Sequence, residues 1–309
     1  MSRVVVIGNA TVDLILTVDH LPRPGETVLA REALRCAGGK GLNQAVAASR
    51  LGVSTILVAP IGADGDGAFL RQALEDEATL APQWLASPHA TDTSIISIAA
   101  DGENSIVSTA ASARWLAPAE AAAIASGLTS GDVLVVQGNL SEAATAAALD
   151  AARLRGATTI LNTAPIAWDQ QRVAGLASIV VANAGEAEAL TGLRDEDAAL
   201  RLIAGGAGAV LITRGGGPAL LAEGDRIVAM PVPAVDVLDT SGAGDVTVGT
   251  LAGVLAQGGT LVEGLQLALA AASLSVTRRG TTPSFPSRAE LQGLARRVAP
   301  MSKGLVPDA

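Results

Sequence analysis

Residues 179–217 read IVVANAGEAEALTGLRDEDAALRLIAGGAGAVLITRGGG, and their rhythm decides the fold class. Ile179–Ala182 and Ala209–Thr213 are short apolar runs rich in β-branched residues. Between them, Ala184–Leu190 and Asp195–Gly205 are built from good helix formers. Apolar strands without alternation, joined through helix, are buried on both faces and belong to a parallel sheet. The same alternation runs along the whole chain. Strands are expected at Val4–Ile7, Thr55–Pro60, Val133–Gln137 and Thr159–Asn162. Helices are expected at Gly41–Leu51, Gly67–Glu77, Ala117–Ala125, Ala143–Leu154, Gly242–Gln257, Leu261–Thr277 and Arg288–Val298. The pattern predicts an α/β fold, a doubly wound sheet between two helical layers.

Four segments break this rhythm. Leu14–Val18, Thr27–Arg35, Ser94–Ala99 and Ser105–Thr109 read as short alternating strands, with Asp101-Gly102 as a hairpin turn. They predict a small β-sheet outside the main one, inserted at about 14–35 and 94–109. Such a sheet is either a lid over a site or a plain hairpin decoration. The rest of the chain, 1–309, reads as one unit without internal repeats or low-complexity linkers, and the residues after Pro300 are expected to fray.

Composition narrows the function. The 309 residues are 49% hydrophobic but only 2% aromatic, with a formal charge of -9. An acidic chain of this kind lacks the concentrated basic surface that nucleic acid demands. Cys36 stands alone, so no intramolecular disulfide is available, which fits a reducing, cytoplasmic setting. The opening MSRVVVIGNATVDLIL is interrupted by Gly8, Asn9 and Asp13, and so reads as neither a signal peptide nor a membrane span. His20 and His89 fall in expected loops without acidic or Cys partners at ligand spacing, so neither reads as a metal ligand.

Several motifs are placed to carry chemistry. Gly38-Gly39-Lys40-Gly41-Leu42-Asn43-Gln44-Ala45 opens a helix with bare backbone amides, with Lys40 and Asn43 positioned to hydrogen-bond a polyhydroxyl or anionic ligand. Taken alone it reads more simply as a glycine-rich strand-to-helix connection, and no GxxxxGK[ST] loop occurs. Asp239-Thr240-Ser241-Gly242-Ala243-Gly244-Asp245 opens another helix. The amides of Gly242, Ala243 and Gly244 suit an anion hole for developing phosphate charge. Asp245 is then close enough to take a proton from an attacking hydroxyl. A first-turn Asp also complements the helix dipole, but that role does not call for three small residues before it. Asp13, near Thr11 and past the first strand, lies where ligands bind in open α/β sheets, or is a buried turn residue. Asn183-Ala184-Gly185-Glu186 is a capping-box pattern that also places an amide and a carboxylate near a phosphate site, able to hold magnesium-bound waters. Thr213-Arg214-Gly215 suits nucleotide approach or a hairpin, and the loop from Thr277 to Ser284 suits nucleotide or a monovalent ion, or is a solvated helix end.

The order of these motifs resembles that of the ribokinase-like (PfkB) family of carbohydrate and nucleoside kinases, from about Val4 to Pro286, and the ribokinase branch most. The resemblance implies a ribokinase-like three-layer α/β/α sandwich with a β-sheet lid, and a homodimer formed through that lid. It implies phosphorylation of a primary hydroxyl of a small sugar, with ATP, Mg²⁺ and K⁺. By resemblance Asp245 is the base, with Gly242, Ala243 and Gly244 as anion hole. Thr11, Asp13, Gly39, Lys40, Gly41, Asn43 and Asn139 fall at sugar positions, and Asn183, Thr213, Gly215 and Gly244 at nucleotide positions. Glu186 falls at the acidic position linked to magnesium, while Asp239, Ser241, Ser275, Arg278, Gly280 and Ser284 correspond to the potassium loops.

Three positions depart from the branch pattern. Thr11 stands where Asn is usual, Asn139 where a ribose-binding Glu is usual, and Thr247 where an aromatic residue is common. The first two touch the expected sugar pocket and leave the phosphoryl machinery intact. The alternatives are a nucleoside kinase, against which the scarcity of aromatic rings speaks, and a non-catalytic sugar sensor on the same fold.

Overall fold

Buried strands that alternate between two cores dictate the layering. In the computed structural model, which describes residues 2–302, strand β1 (Val4–Ile7) sends Val4 and Val6 to one core and Val5 and Ile7 to the other. Strands β4 (Thr55–Ile61), β8 (Val133–Gln137), β9 (Thr158–Asn162), β10 (Ile179–Asn183) and β11 (Ala209–Arg214) continue the same sheet. Its nine strands run in the order β13-β12-β11-β10-β9-β8-β1-β4-β5. All pair in parallel except β12 (Gly217–Glu223) and β13 (Arg226–Met230), an antiparallel hairpin at one edge.

One core is closed by helices α1 (Lys40–Ser49), α9 (Ala243–Ala256) and α10 (Leu261–Ser275). The other is closed by α4 (Pro118–Ala125), α5 (Glu142–Leu154) and α8 (Asp195–Ala204), among others. The result is the expected α/β/α sandwich. Chain order steps away from β1 in both directions, to β4 and to β8. The carboxyl ends of the strands flanking such a switch point form a ligand crevice.

A second sheet stands apart, in the order β3-β2-β6-β7. It contains β2 (Thr11–Thr17), β3 (Glu32–Gly38), β6 (Asp92–Ile98) and β7 (Asn104–Ser108). The segment expected at Thr27–Arg35 pairs instead over Glu32–Gly38, because β2 sets the register from Thr11↔Gly38 to Thr17↔Glu32 and residues 27–31 lie past its end. Strand β5 (Leu80–Ala86) was not expected. It carries Pro82 and little alternation, features tolerated at the sheet edge it occupies. The glycines after Thr213 form the β11–β12 hairpin turn. The expected fraying after Pro300 concerns a tail that, from residue 303 on, lies outside the described residues. No described helix is long and apolar enough to cross a membrane.

Few aromatic rings mean that small residues set the spacing between layers. In α9, a Cβ built on Gly249 would lie 2.3 Å from the Gln44 carbonyl oxygen and 2.6 Å from the Ala47 Cβ of α1. Two helices bearing expected site residues are thus held at close backbone distance. Gly249→Ala is expected to cost about 1–3 kcal/mol, as overpacking does, seen as a lower urea midpoint; an unchanged midpoint would show that this contact is slack.

Candidate active site

A cavity of about 660 Å³ opens at the carboxyl ends of the parallel strands, beneath the second sheet. Two helix starts form its floor. Gly39, the N-cap of α1, has φ 94, and a Cβ there would lie 2.8 Å from the Thr11 amide nitrogen. Gly242, the N-cap of α9, has φ 78, a left-handed conformation that glycine adopts without strain. These turns bring Lys40, Asn43 and Asp245 to the cavity wall, with Gly242 and Gly244 beside them. The Ala243 amide donates back to Thr240 O at 3.3 Å, so one of the three expected anion-hole groups is engaged in the turn itself.

Asp245 is only 6% exposed, and a carboxylate so buried needs donors to stay charged. Asn43 Nδ2 donates to its Oδ2 at 3.0 Å and Gln44 Nε2 to its Oδ1 at 2.9 Å. Both donors come from consecutive residues at the start of α1. Each carboxylate oxygen therefore receives one amide hydrogen and keeps a lone pair.

Asp13 lies on β2, 3% exposed, and accepts from Thr11 Oγ1 at 2.6 Å. Burial pushes its carboxyl up to about 6, and the Asp245 charge adds to this; the Thr11 and Ser94 hydroxyls and the Lys40 ammonium pull the other way. The cavity thus holds two carboxylates of different character, one well supplied with donors and one whose carboxyl burial pushes up to about 6.

The nucleotide candidates lie along the same strand ends. Asn183 caps α7 (Ala184–Thr191): its Oδ1 accepts from the Glu186 amide at 2.8 Å, while Glu186 Oε2 accepts from the Asn183 amide at 2.9 Å. The capping box foreseen as the simpler reading is present. Glu186 also accepts from Thr163 Oγ1 at 3.0 Å, and both Asn183 and Glu186 line the cavity with Thr213 and Asn139. Gly215 sits in the adjoining hairpin turn and does not line it, nor do Thr11, Gly41 and Ala243.

The candidates for a monovalent cation lie behind the α9 start. The Asp239 carboxylate accepts from the Ser241 and Gly280 amides, each at 2.8 Å, tying the two loops together. Ser241 lines the cavity, and its Oγ is buried without a partner. The Ser275 and Ser284 hydroxyls donate to Ala272 O and Thr281 O. The Arg278 guanidinium pairs with Glu290, and the residue lines a separate cavity of about 500 Å³, away from this group.

Other cavity residues went unassigned in the sequence: Asn9, Asn162, Ser94, Asn104, Ser108 and Arg114, while Thr281 falls inside the loop already singled out. Asn9 and Asn162 follow a recognisable signal, since an amide or hydroxyl residue ends or closely follows each of the strands β1, β8, β9 and β10, and Thr213 is the penultimate residue of β11. The others sit on the second sheet or on the short helix Ala111–Trp115, where nothing local marks them.

Sequence and fold comparisons agree with this geometry. The model of the pfkB carbohydrate kinase family matches residues 1–288. The chain belongs to this family. It is accordingly an ATP-dependent carbohydrate kinase. It is 34% identical to mouse ribokinase over 302 residues, covering 94% of each chain. The ribokinase of Thermotoga maritima superposes with a TM-score of 0.85 at 27% identity, over 96% of this chain and 100% of that one. Arabidopsis thaliana ribokinase, solved with ribose and ATP, superposes at 0.82 and 26%, over 96% and 99%.

The electrostatics of Asp13 carry a stability consequence for the kinase. Its folded-state value of about 6 lies above the ordinary 3.8, so the folded chain holds that proton more tightly than the unfolded one. Stability contributed by this group is therefore lost as pH rises from about 4 to 6, by about 3 kcal/mol at most. Asp13→Asn is expected to be more stable than the parent at pH 8 and to lose that advantage toward pH 4. Urea melts at both pH values check it, and a variant less stable at pH 8 overturns the assignment.

Proposed function

We propose that this kinase phosphorylates the primary hydroxyl of a small sugar, ribose first, with Asp245 as the general base. The observation that carries the reading is the Asp245 carboxylate, buried, doubly hydrogen-bonded and set beside the Gly242 and Gly244 amides in the cavity. The acceptor hydroxyl gives its proton to Asp245 while its oxygen bonds to the γ-phosphorus of ATP. The bond from that phosphorus to the bridging oxygen breaks, and ADP leaves with the electron pair. The N–H groups at the α9 start take up the charge on the transferring phosphoryl group. Asp13, Gly39, Lys40, Asn43 and Asn139 hold the sugar, and Asn183 and Thr213 the nucleotide. The second sheet acts as a lid that excludes water. Leu34, Ile95, Ile106 and Val107, all at least 45% exposed on that sheet, support a dimer formed through it.

The donor set fits the two cations differently. Glu186, on the cavity wall beside Asn183, suits the outer sphere of a magnesium held by nucleotide phosphates and waters. Bound there, magnesium supplies charge neutralisation to the phosphates. The orphaned Ser241 oxygen beside the Asp239 carboxylate suits a monovalent cation, with main-chain oxygens of the 275–284 loop completing its shell.

Ribose as acceptor is supported by the ribokinase relatives, whereas Asn139 alters the cavity wall and Thr11 acts on it through its hydrogen bond to Asp13. A nucleoside is favoured by one observation: Trp115 is 40% exposed and follows the cavity-lining Arg114. ADP release measured over pentoses, hexoses and nucleosides decides between them. Asp245→Asn should lower kcat by about 10³-fold or more with ATP binding retained, and a nearly active variant would remove the base assignment. Exchanging Na⁺ for K⁺ should raise the rate severalfold, and indifference to the exchange removes the cation site.

A further inference from the structure

We infer that Gln44 is a positioning residue for phosphoryl transfer, fixing the Asp245 carboxylate from outside the cavity through an amide relay that starts at Gln137. The inference rests on the reading of Asp245 as the base. Gln44 and Gln137 are both fully buried and neither lines the cavity, so neither touches the acceptor. Gln44 Nε2 donates to Asp245 Oδ1 at 2.9 Å and to Asn162 Oδ1 at 3.1 Å, while its Oε1 accepts from Gln137 Nε2 at 2.8 Å. This set admits one amide orientation. Turned over, Gln44 would set its oxygen against two acceptor oxygens and its NH₂ against that of Gln137. Asn162 is in turn oriented by its Nδ2 donating to Val181 O at 3.3 Å.

The relay therefore joins the ends of β8 and β9 to the first turn of α9 through the first turns of α1. Asn43, the other donor to Asp245, lines the cavity and is shared with the sugar under the proposed reading. Gln44 has no such second duty. A donor on the ionised carboxylate favours the charged form and fixes the plane in which its free lone pairs point. Removing that donor raises the proton affinity of a buried base and lets its plane rotate.

The charged groups that share the cavity with Asp245 are Asp13 on β2, Lys40 on α1, Glu186 on α7 and Arg114 in the 111–115 helix. A substitution at 44 keeps all four, so a displaced pH profile reports the lost donor. Gln44→Met, close in volume and unable to donate, is expected to lower kcat by about 10- to 100-fold, as loss of a hydrogen bond to a charged group does. The KM for ATP stays within about twofold, and the acidic limb of the kcat profile moves to higher pH. Gln137→Met, which leaves Gln44 in place but removes the donor to its Oε1, should produce a smaller loss with the same displacement, and it serves if the first variant folds poorly.

A double-mutant cycle separates the two readings. Added to Asp245→Asn, the Gln44 change should alter the residual single-turnover rate by less than about twofold, since the group it positions is gone. Losses that multiply instead, with an unmoved acidic limb, assign Gln44 to helix packing alone and overturn the inference. Near-normal turnover by Asp245→Asn alone overturns the base reading and leaves the relay a purely structural network.

Discussion

Two hydrogen bonds from the first turns of one helix to the first turn of another organise this molecule. Asp245 is nearly sealed from solvent, and water cannot support its charge. Asn43 and Gln44 do so instead, and for that α1 and α9 must start side by side at close range. Gly249 permits the approach against Ala47, and Gly253 repeats it one turn on, close to the Ala48 carbonyl oxygen. The poverty in aromatic rings thus has a structural meaning beyond the nature of the acceptor: bulky side chains between these helices would pull base and donors apart.

The layered fold was legible because strands buried on both faces leave a strong mark. Apolar runs such as Val133–Gln137 and Ile179–Ala182 cannot be mistaken for solvent-facing elements, and the helices between them fall within one to a few residues of their expected ends. Elements at the margins were less legible. An edge strand needs only one partner, so β5 tolerates Pro82 and lacks any periodic signature. The offset of β3 from its expected place has a different cause: pairing partners, not local propensity, decide where a strand stops.

The site divides in the same way. Contiguous motifs, Gly38–Ala45 and Asp239–Asp245, announce themselves because a helix start with bare amides requires glycine at fixed spacing. The residues that complete the cavity come singly from different strand ends, and only the sheet order brings Asn9, Asn139, Asn162 and Asn183 together. Gln44 illustrates the limit. It lies inside the recognisable motif, yet its partners Gln137, Asn162 and Asp245 are 93, 118 and 201 positions away. A contact over such separations leaves no local trace.

The two buried acids belong to different bodies. Asp13 is carried by β2 of the smaller sheet, whereas Asp245 is fastened through α1 to the frame of the larger one. The Asp245 charge adds to the burial that pushes the Asp13 carboxyl up to about 6. A carboxyl on the smaller sheet that feels the Asp245 charge thus couples the two sheets electrostatically as well as through the chain.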